Sequence, residues 1–446
     1  MRIVILGAGT VGSSVARTLY QHRHNVIIIE KNPDVVRHLQ DTTDALIIEG
    51  SVSHAATLFK ADIMNADLCL AMTDSDETNI LSASLAKAMG ARRVIARVFS
   101  PMFHNFSTFD YRRYFKIDRI LSLEQLSALR MAREIDQYMG ILTFDSVSCG
   151  NIVLMEYEIS PASQSVGKRI RDLRFPSGVR IGTIRREGKN MIVSADDVLQ
   201  VGDHLAMIGE QGLLTRLRKS LDIKKPEPRD VIIAGGGETG YHLAQMLQKT
   251  HRIRLIDADL SRCRTLGAML DKKVEILNAD VQKRFVLEEY ARNTDFFIAC
   301  TGYDENNLLA CVEAKALGAD QVFSIINRSD YGNVVKKLGI DFYVSPREEA
   351  AQEVMNFLNT GAVIFNNGVM GSGIRLVEIE VQQGAPIVNV ALMNAKLPRQ
   401  SIVLAATHEG SICVPGAEYR FSAGDTAILI MHDRDVDDVL SKFEPA

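Results

Sequence analysis

The chain contains itself twice. Residues 3–12 read IVILGAGTVG and residues 231–240 read VIIAGGGETG. In each, an apolar run of strand length stops at a Gly-x-Gly-x-x-Gly turn and gives way to a helical pattern. One such motif is a weak signal. Two of them, each heading one half of the chain and each followed by the same later landmarks, restrict the fold to a duplicated module. Any function must fit that duplication.

The landmarks run in parallel. In the first half the strand Arg2–Leu6 leads into the turn, a helix starts near Val11, and a second strand over 25–29 ends in Glu30. In the second half the strand Asp230–Ala234 leads into its turn, and a strand over 253–256 ends in Asp257. The first glycine precedes that acid by 23 residues in one half and by 22 in the other. Third strands over 45–49 and 273–277 end at Gly50-Ser51 and Ala279-Asp280. Fourth strands over 68–72 and 296–300 end in Thr73-Asp-Ser-Asp-Glu-Thr-Asn79 and Thr301-Gly-Tyr-Asp-Glu-Asn-Asn307. Helices carrying Ala-Lys-Ala-x-Gly-Ala follow, then fifth strands over 94–98 and 322–326. Strands alternating with helices at this spacing predict a parallel sheet covered on both faces.

A second repeat follows each of these units. Residues 166–203 align with 388–425 without a gap, pairing Pro176 with Pro398, Gly188 with Gly410 and Asp203 with Asp425. Short alternating apolar runs broken by Gly and Pro predict small α+β units there. The fold class is therefore α/β: two Rossmann-like parallel-sheet domains, each followed by a small α+β domain. The expected boundaries are 1–140, 141–222, 229–350 and 363–446, with the polar, two-proline stretch over 222–229 as the linker between halves.

Composition excludes several classes. A net charge of −4 offers no basic field for nucleic acid. No apolar run approaches the ~20 residues of a membrane-spanning helix, and the N-terminus has no signal-peptide pattern. Six cysteines without a Cys-x-x-Cys pair read as reduced thiols, with neither a zinc site nor a disulfide frame. The histidines form no metal-like cluster; His22, His24 and His251 read as solvated loop residues.

The chemistry gathers at the glycine turns. A Gly-rich turn opening a helix lets backbone N–H groups approach a pyrophosphate, and the helix dipole favours negative charge there. The plainer reading of such a turn is a tight strand–helix connection with no ligand. Glu30 and Asp257 are placed to accept hydrogen bonds from ribose hydroxyls, and their charge disfavours a 2′-phosphate, so NAD(H) is expected over NADP(H). Thr73, Asp74 and Thr301 stand at the carboxyl ends of sheet strands, where open α/β sheets bind ligands. Asp76, Glu77, Asp304 and Glu305 are expected to be helix caps and first-turn acids. Asn79 and Asn307 are expected to bond backbone across the turn, which leaves their role open. Arg97, ending a buried strand, is either paired with an acid or aimed at phosphate.

The glycine turn, Glu30, the Thr73–Asn79 stretch, Arg97 and the attached small domain together resemble the RCK (KTN) regulatory modules of potassium channels and transporters. The resemblance covers essentially the whole chain, and its specific part is the tandem order of large and small domains, two of each. Gly7, Ala8, Gly9, Thr10, Val11, Gly12, Glu30, Ser51, Thr73, Asp74 and Arg97 fall on the nucleotide-binding positions implied by that resemblance. In the second half Gly235, Gly236, Gly237, Glu238, Thr239, Gly240, Asp257, Asp280 and Thr301 do so. That half departs from the pattern with Gly302 in the place of Asp74 and with Asn327-Arg328 near the place of Arg97. A stretch around Asn105–Tyr114 has no counterpart.

The resemblance implies a regulatory subunit that binds NAD or NADH, and possibly ATP or ADP. It implies a homo-oligomeric ring at the cytoplasmic face of the inner membrane, under an integral-membrane potassium-translocating subunit of the TrkH/TrkG kind. Two rivals share these residues. One is an NAD-dependent oxidoreductase, disfavoured because the small domains carry no evident proton-transfer set. The other is a nucleotide sensor for another cation transporter. Gly371-Ser-Gly373 in the last small domain reads as structural.

Overall fold

The computed structural model describes residues 1–43, 45–104, 109–138, 152–173, 175–176, 178–187, 189–220, 228–328, 331–359, 363–369, 373–398, 400–408 and 411–445. Four sheets follow one another along the chain. The first holds β1 (Arg2–Leu6), β2 (Asn25–Glu30), β3 (Leu46–Glu49), β4 (Leu68–Ala71), β5 (Val94–Arg97) and β6 (Arg119–Leu121). The next holds β7 (Ile152–Glu158), β8 (Val179–Arg186), β9 (Lys189–Ile192) and β10 (His204–Glu210). The third holds β11 (Asp230–Ala234), β12 (Arg252–Asp257), β13 (Glu275–Asn278), β14 (Phe296–Ala299), β15 (Gln321–Ile325) and β16 (Phe342–Val344). The last holds β17 (Val363–Val369), β18 (Ile374–Glu380), β19 (Ser401–His408), β20 (Ser411–Cys413) and β21 (Thr426–His432).

The described chain divides into two compact units, one of residues 1–132 with 228–355, the other of 133–227 with 356–446. The first unit contains both six-stranded sheets. Their orders, β3-β2-β1-β4-β5-β6 and β13-β12-β11-β14-β15-β16, are the same doubly wound order with every neighbour parallel. Ile3, Val4, Ile5 and Leu6 are all fully buried, as a central strand covered on both faces requires. The strand order reverses between β1 and β4, and again between β11 and β14, which opens a crevice at the carboxyl ends of those strands. The short strands β6 and β16 complete the sheets; three residues each are too few to show a period in sequence. Inside this unit the halves meet through the Arg119–Glu353 ion pair and through Arg130, whose Nε lies 3.8 Å from Glu349 and whose guanidinium sits 5.0 Å above the Phe342 ring.

The second unit contains the two small antiparallel sheets, ordered β7-β10-β8-β9 and β17-β18-β21-β19-β20. They share an apolar cluster that includes Ala206, Ile208, Ile374, Leu404 and Ile428. Arg180 crosses between them and donates to the carbonyls of Val403 and Pro415, each at 2.6 Å.

The described part of the unmatched stretch around Asn105–Tyr114 is an aromatic cluster. Tyr111 meets Phe103 and Phe109 edge-on at 4.9 Å, and a helical turn over Tyr111–Tyr114 closes it. Cys149, Gly188, Gly410, Gly371, Ser372 and residues 222–227 of the expected linker lie outside the described residues.

Candidate functional site

Each crevice is built on its glycine turn. Gly7 has φ +96° and Gly235 φ +117°, a region that only glycine enters without strain. A Cβ at Gly7 would stand 2.8 Å from the Thr73 side chain, and one at Gly12 would stand 2.1 Å from the Gly7 carbonyl oxygen. The second half repeats this, with a Cβ at Gly240 falling 1.9 Å from the Gly235 carbonyl oxygen. Around the middle glycines, Gly9 and Gly237, the space is open. Both have extended backbone and cap the helices Thr10–Gln21 and Glu238–Leu247 without a side-chain cap bond, and the first-turn N–H groups of a helix have no partner within it. Ala8 and Val11 are buried beneath the first turn, and Thr239 is half-buried at the second.

The strand-end acids brace these turns. Glu30 accepts from the Ala8 N–H at 2.8 Å with one oxygen, and from the Lys31 and Asn32 N–H groups with the other. Asp257 accepts from Gly236 at 2.6 Å and from Asp259 at 2.8 Å. A carboxylate has about four acceptor positions, so each acid keeps capacity for a further donor such as a ribose hydroxyl. Ser51 and Asp280 lie in the loops after β3 and β13 and cap their own backbone, accepting from Ser53 and Gln282.

Thr73 and Thr301 are fixed by the two buried asparagines. Asn79 accepts from the Thr73 N–H and hydroxyl, and its amide donates to the Thr73 and Arg97 carbonyls. Asn307 makes the same four bonds, to Thr301 and to the carbonyl of Ile325. The asparagines are therefore cross-braces that hold the ends of neighbouring strands together. Asp76 and Asp304 stand in the first turns of their helices as expected, but neither is the cap. Ser75 caps the first helix, accepting from Thr78. Asp76 instead takes the N–H groups of Phe99 and Ser100, each at 2.8 Å, and Asp304 takes those of Asn327 and Arg328. They close the loop after the fifth strand, 23 residues away, which no local pattern announces.

The asparagine bonds also establish which residues correspond. Ile325, not Asn327 or Arg328, is the equivalent of Arg97. Arg97 is half-buried, and its guanidinium makes no hydrogen bond or ion pair among the described residues. Its charge is felt by Glu124, in the first turn of the helix Leu123–Tyr138. Burial pushes the Glu124 carboxyl above its ordinary range, a hydrogen bond to its own backbone N–H and attraction to Arg97 pull it back, and Glu238 from the second half adds to the rise. Sequence reading missed Glu124, because only the fold brings it within the field of Arg97. Asp74 is exposed at the rim.

The solvated reading of His251 is also corrected: it is buried, with Nδ1 facing the Arg229 N–H at 3.4 Å. His22 is exposed and His24 half-buried. Burial pushes the thiols of Cys300 and Cys311 up to about 12, which makes them inert packing groups.

The TrkA-N domain family matches residues 3–110 and 231–346, and the TrkA-C domain family matches 154–222. The chain is similar to the Trk system potassium uptake protein TrkA homolog of Archaeoglobus fulgidus, with 30% identity over 96% of this chain and 95% of that one. It is 28% identical to TrkA homolog 2 of Methanosarcina mazei, over 96% and 97% of the two chains. It is 26% identical to the Trk system potassium uptake protein TrkA of Halomonas elongata, over 97% and 96%. Among solved structures it shares its fold with the GsuK channel, at TM-score 0.61 and 18% identity over 99% of this chain and 79% of that one. It also shares it with the GsuK channel bound to NAD, at TM-score 0.58 and 19% identity over 99% and 78%.

Proposed function

Because the chain belongs to the TrkA-N domain family, we propose that it is a nucleotide-sensing regulatory subunit that gates a membrane potassium-uptake transporter. The observation that carries the reading is the first crevice. An open helix N-terminus at Gly9, a strand-end carboxylate at Glu30 and an arginine at Arg97 without a bonded partner among the described residues stand at one sheet edge. That donor set fits NAD(H): amides and arginine for the pyrophosphate, the acid for the ribose. Gly7 to Gly12, Glu30, Thr73 and Arg97 would hold the nucleotide, with Ser51 and Asp74 at the rim. Asp257, Asp280 and Thr301 are the corresponding second-half positions. ATP or ADP offers the same ribose and phosphates and competes for the cleft.

The relatives are named as Trk system potassium uptake proteins. Among the described residues no helix is long and apolar enough to cross a membrane. On the likeness to those relatives we propose a homo-oligomeric ring at the cytoplasmic face, under a TrkH/TrkG-like translocating subunit. A regulator moves its partner only by the difference in nucleotide affinity between ring states, and it leaves the nucleotide unchanged.

The test is potassium flux through the reconstituted transporter with this chain bound, with and without NADH, alongside calorimetric titration with NADH and NADPH. NADH is expected to bind more tightly than NADPH, to shift the flux, and to be recovered unoxidised. Stoichiometric oxidation of NADH with a hydroxy or amino acid partner would make the chain an oxidoreductase.

A further inference from the structure

The two crevices share the acid that faces the ribose but differ where a pyrophosphate would lie. In the first, Thr10 is the exposed first residue of the helix and Arg97 ends the fifth strand. In the second, Glu238 takes the place of Thr10 and the buried Ile325 that of Arg97. Glu238 is held in the crevice wall, with 13% of its side chain exposed. Its Oε1 accepts from Arg262 Nη2 at 2.9 Å, and Arg262 Nε donates to the Gly236 carbonyl at 2.5 Å. Its Oε2 is buried and accepts no hydrogen bond among the described residues. The first half has Val35 where the second has Arg262, counted from the capping residues Asn32 and Asp259, so it carries no such arm.

An incoming phosphate therefore meets unlike conditions in the two clefts. Both offer the amides of an uncapped helix N-terminus, at Gly9 or Gly237, and in the first an arginine ends the fifth strand of the same sheet. In the second it meets a carboxylate already seated at the helix N-terminus, where the dipole stabilises it. The nearby arginine is already engaged by that carboxylate and by a backbone carbonyl. Displacing Glu238 breaks a largely desolvated ion pair, and leaving it in place sets two anions side by side.

We propose that Glu238, together with Ile325, makes the second cleft a filter against pyrophosphate-bearing nucleotides, so that each chain holds one dinucleotide, in the first cleft. This rests on the nucleotide-sensing reading above and assigns its ligand to one of two homologous sites.

The test is calorimetric titration of the full-length chain with NADH, for the wild type, Glu238→Thr, Glu238→Gln and Thr10→Glu, with thermal melting of each as a folding control. The wild type is expected to take one NADH per chain. Glu238→Thr, which restores the first-half residue, is expected to add a second binding event, and Glu238→Gln a weaker one. Thr10→Glu is expected to weaken the single site roughly tenfold or more, because a carboxylate now faces the phosphates. Two NADH per wild-type chain at similar affinity would overturn the filter. So would one NADH per chain in a normally melting Glu238→Thr, or an unaltered first site in Thr10→Glu. No heat with NADH in any variant would instead overturn the nucleotide reading, and the filter would fall with it.

Discussion

The two halves of this chain keep the same backbone and change the charges on it. Strand order, positive-φ glycines and the asparagine braces are repeated almost bond for bond. Yet Arg97 is answered by Ile325, Thr10 by Glu238, and Asp74 by Gly302. The small modules diverge in the same way. Asp203 is buried and held by two hydrogen bonds from Arg186, at 2.7 and 2.8 Å. Its counterpart Asp425, equally buried, is held by Nδ1 of His408 at 2.5 Å, on a ring that is half exposed. Duplication thus preserved what the backbone needs and released what a ligand or a counter-ion needs. Packing constrains both copies equally, whereas a binding duty can be left to one.

The comparison can be broken most severely at the glycines. Gly12→Ala and Gly240→Ala each drive a Cβ into a carbonyl oxygen, at 2.1 and 1.9 Å. If only the first cleft works, Gly12→Ala is expected to weaken NADH roughly a thousandfold, equivalent to about 4 kcal/mol. Gly240→Ala should distort its own turn and leave the titration unchanged; a comparable loss in both would show two equivalent sites.

Truncation at the Arg97 and Ile325 pair should separate binding from stability. Ile325→Ala removes a buried side chain and is expected to cost about 3 kcal/mol by denaturant unfolding, without touching NADH affinity. Arg97→Ala should weaken NADH about tenfold and leave unfolding nearly unchanged.

In the small modules, Arg186→Ala strands a buried carboxylate and is expected to lower stability by about 3 kcal/mol. His408→Ala should cost about 1 kcal/mol, because water reaches the half-exposed His408 site and can replace its hydrogen bond. Equal losses in thermal melting would mean that both acids depend on a full counter-charge.

The smallest effect is a pH dependence that belongs to the first half. The Glu124 carboxyl is raised by burial, so the folded chain binds its proton more tightly than the unfolded chain does. Its contribution therefore turns unfavourable as pH climbs from the ordinary glutamate range through the raised value, and stays so above it. Glu124→Gln should flatten the stability profile across that window. The corresponding second-half residue is Arg347, and Arg347→Ala should leave the profile's shape intact. An unchanged profile in Glu124→Gln would show that the carboxyl binds its proton equally in the folded and unfolded chain.

Much of the fold could be read directly. The strands β1, β2, β4 and β5 and their copies are continuous apolar runs punctuated by Gly and acids, and the repeat offset ties each to its twin. The glycine turn and strand-end acid also carry their meaning locally, since a positive φ and a helix N-terminus are short-range requirements. The sixth strands escaped because they are too short to show a period. His251 escaped because a polar turn in one half becomes a packed one in the other. Asp76 and Asp304 were given the wrong partner because a first-turn acid has the same local signature whether it caps its own helix or clamps a distant loop.

What the sequence determined by itself is the duplicated α/β plan and the chemistry offered at each turn, for these rest on contacts within about one helical turn or on a repeat that can be counted. What only the tertiary structure decided is where charges meet. Glu124 comes under the influence of Arg97, Glu238 closes on Arg262, and the bond from Asn307 makes Ile325 rather than Arg328 the equivalent of Arg97. Those meetings join residues 18 to 27 positions apart. They depend on sheet register and on burial, which strengthens or neutralises a charge only after the chain has packed around it.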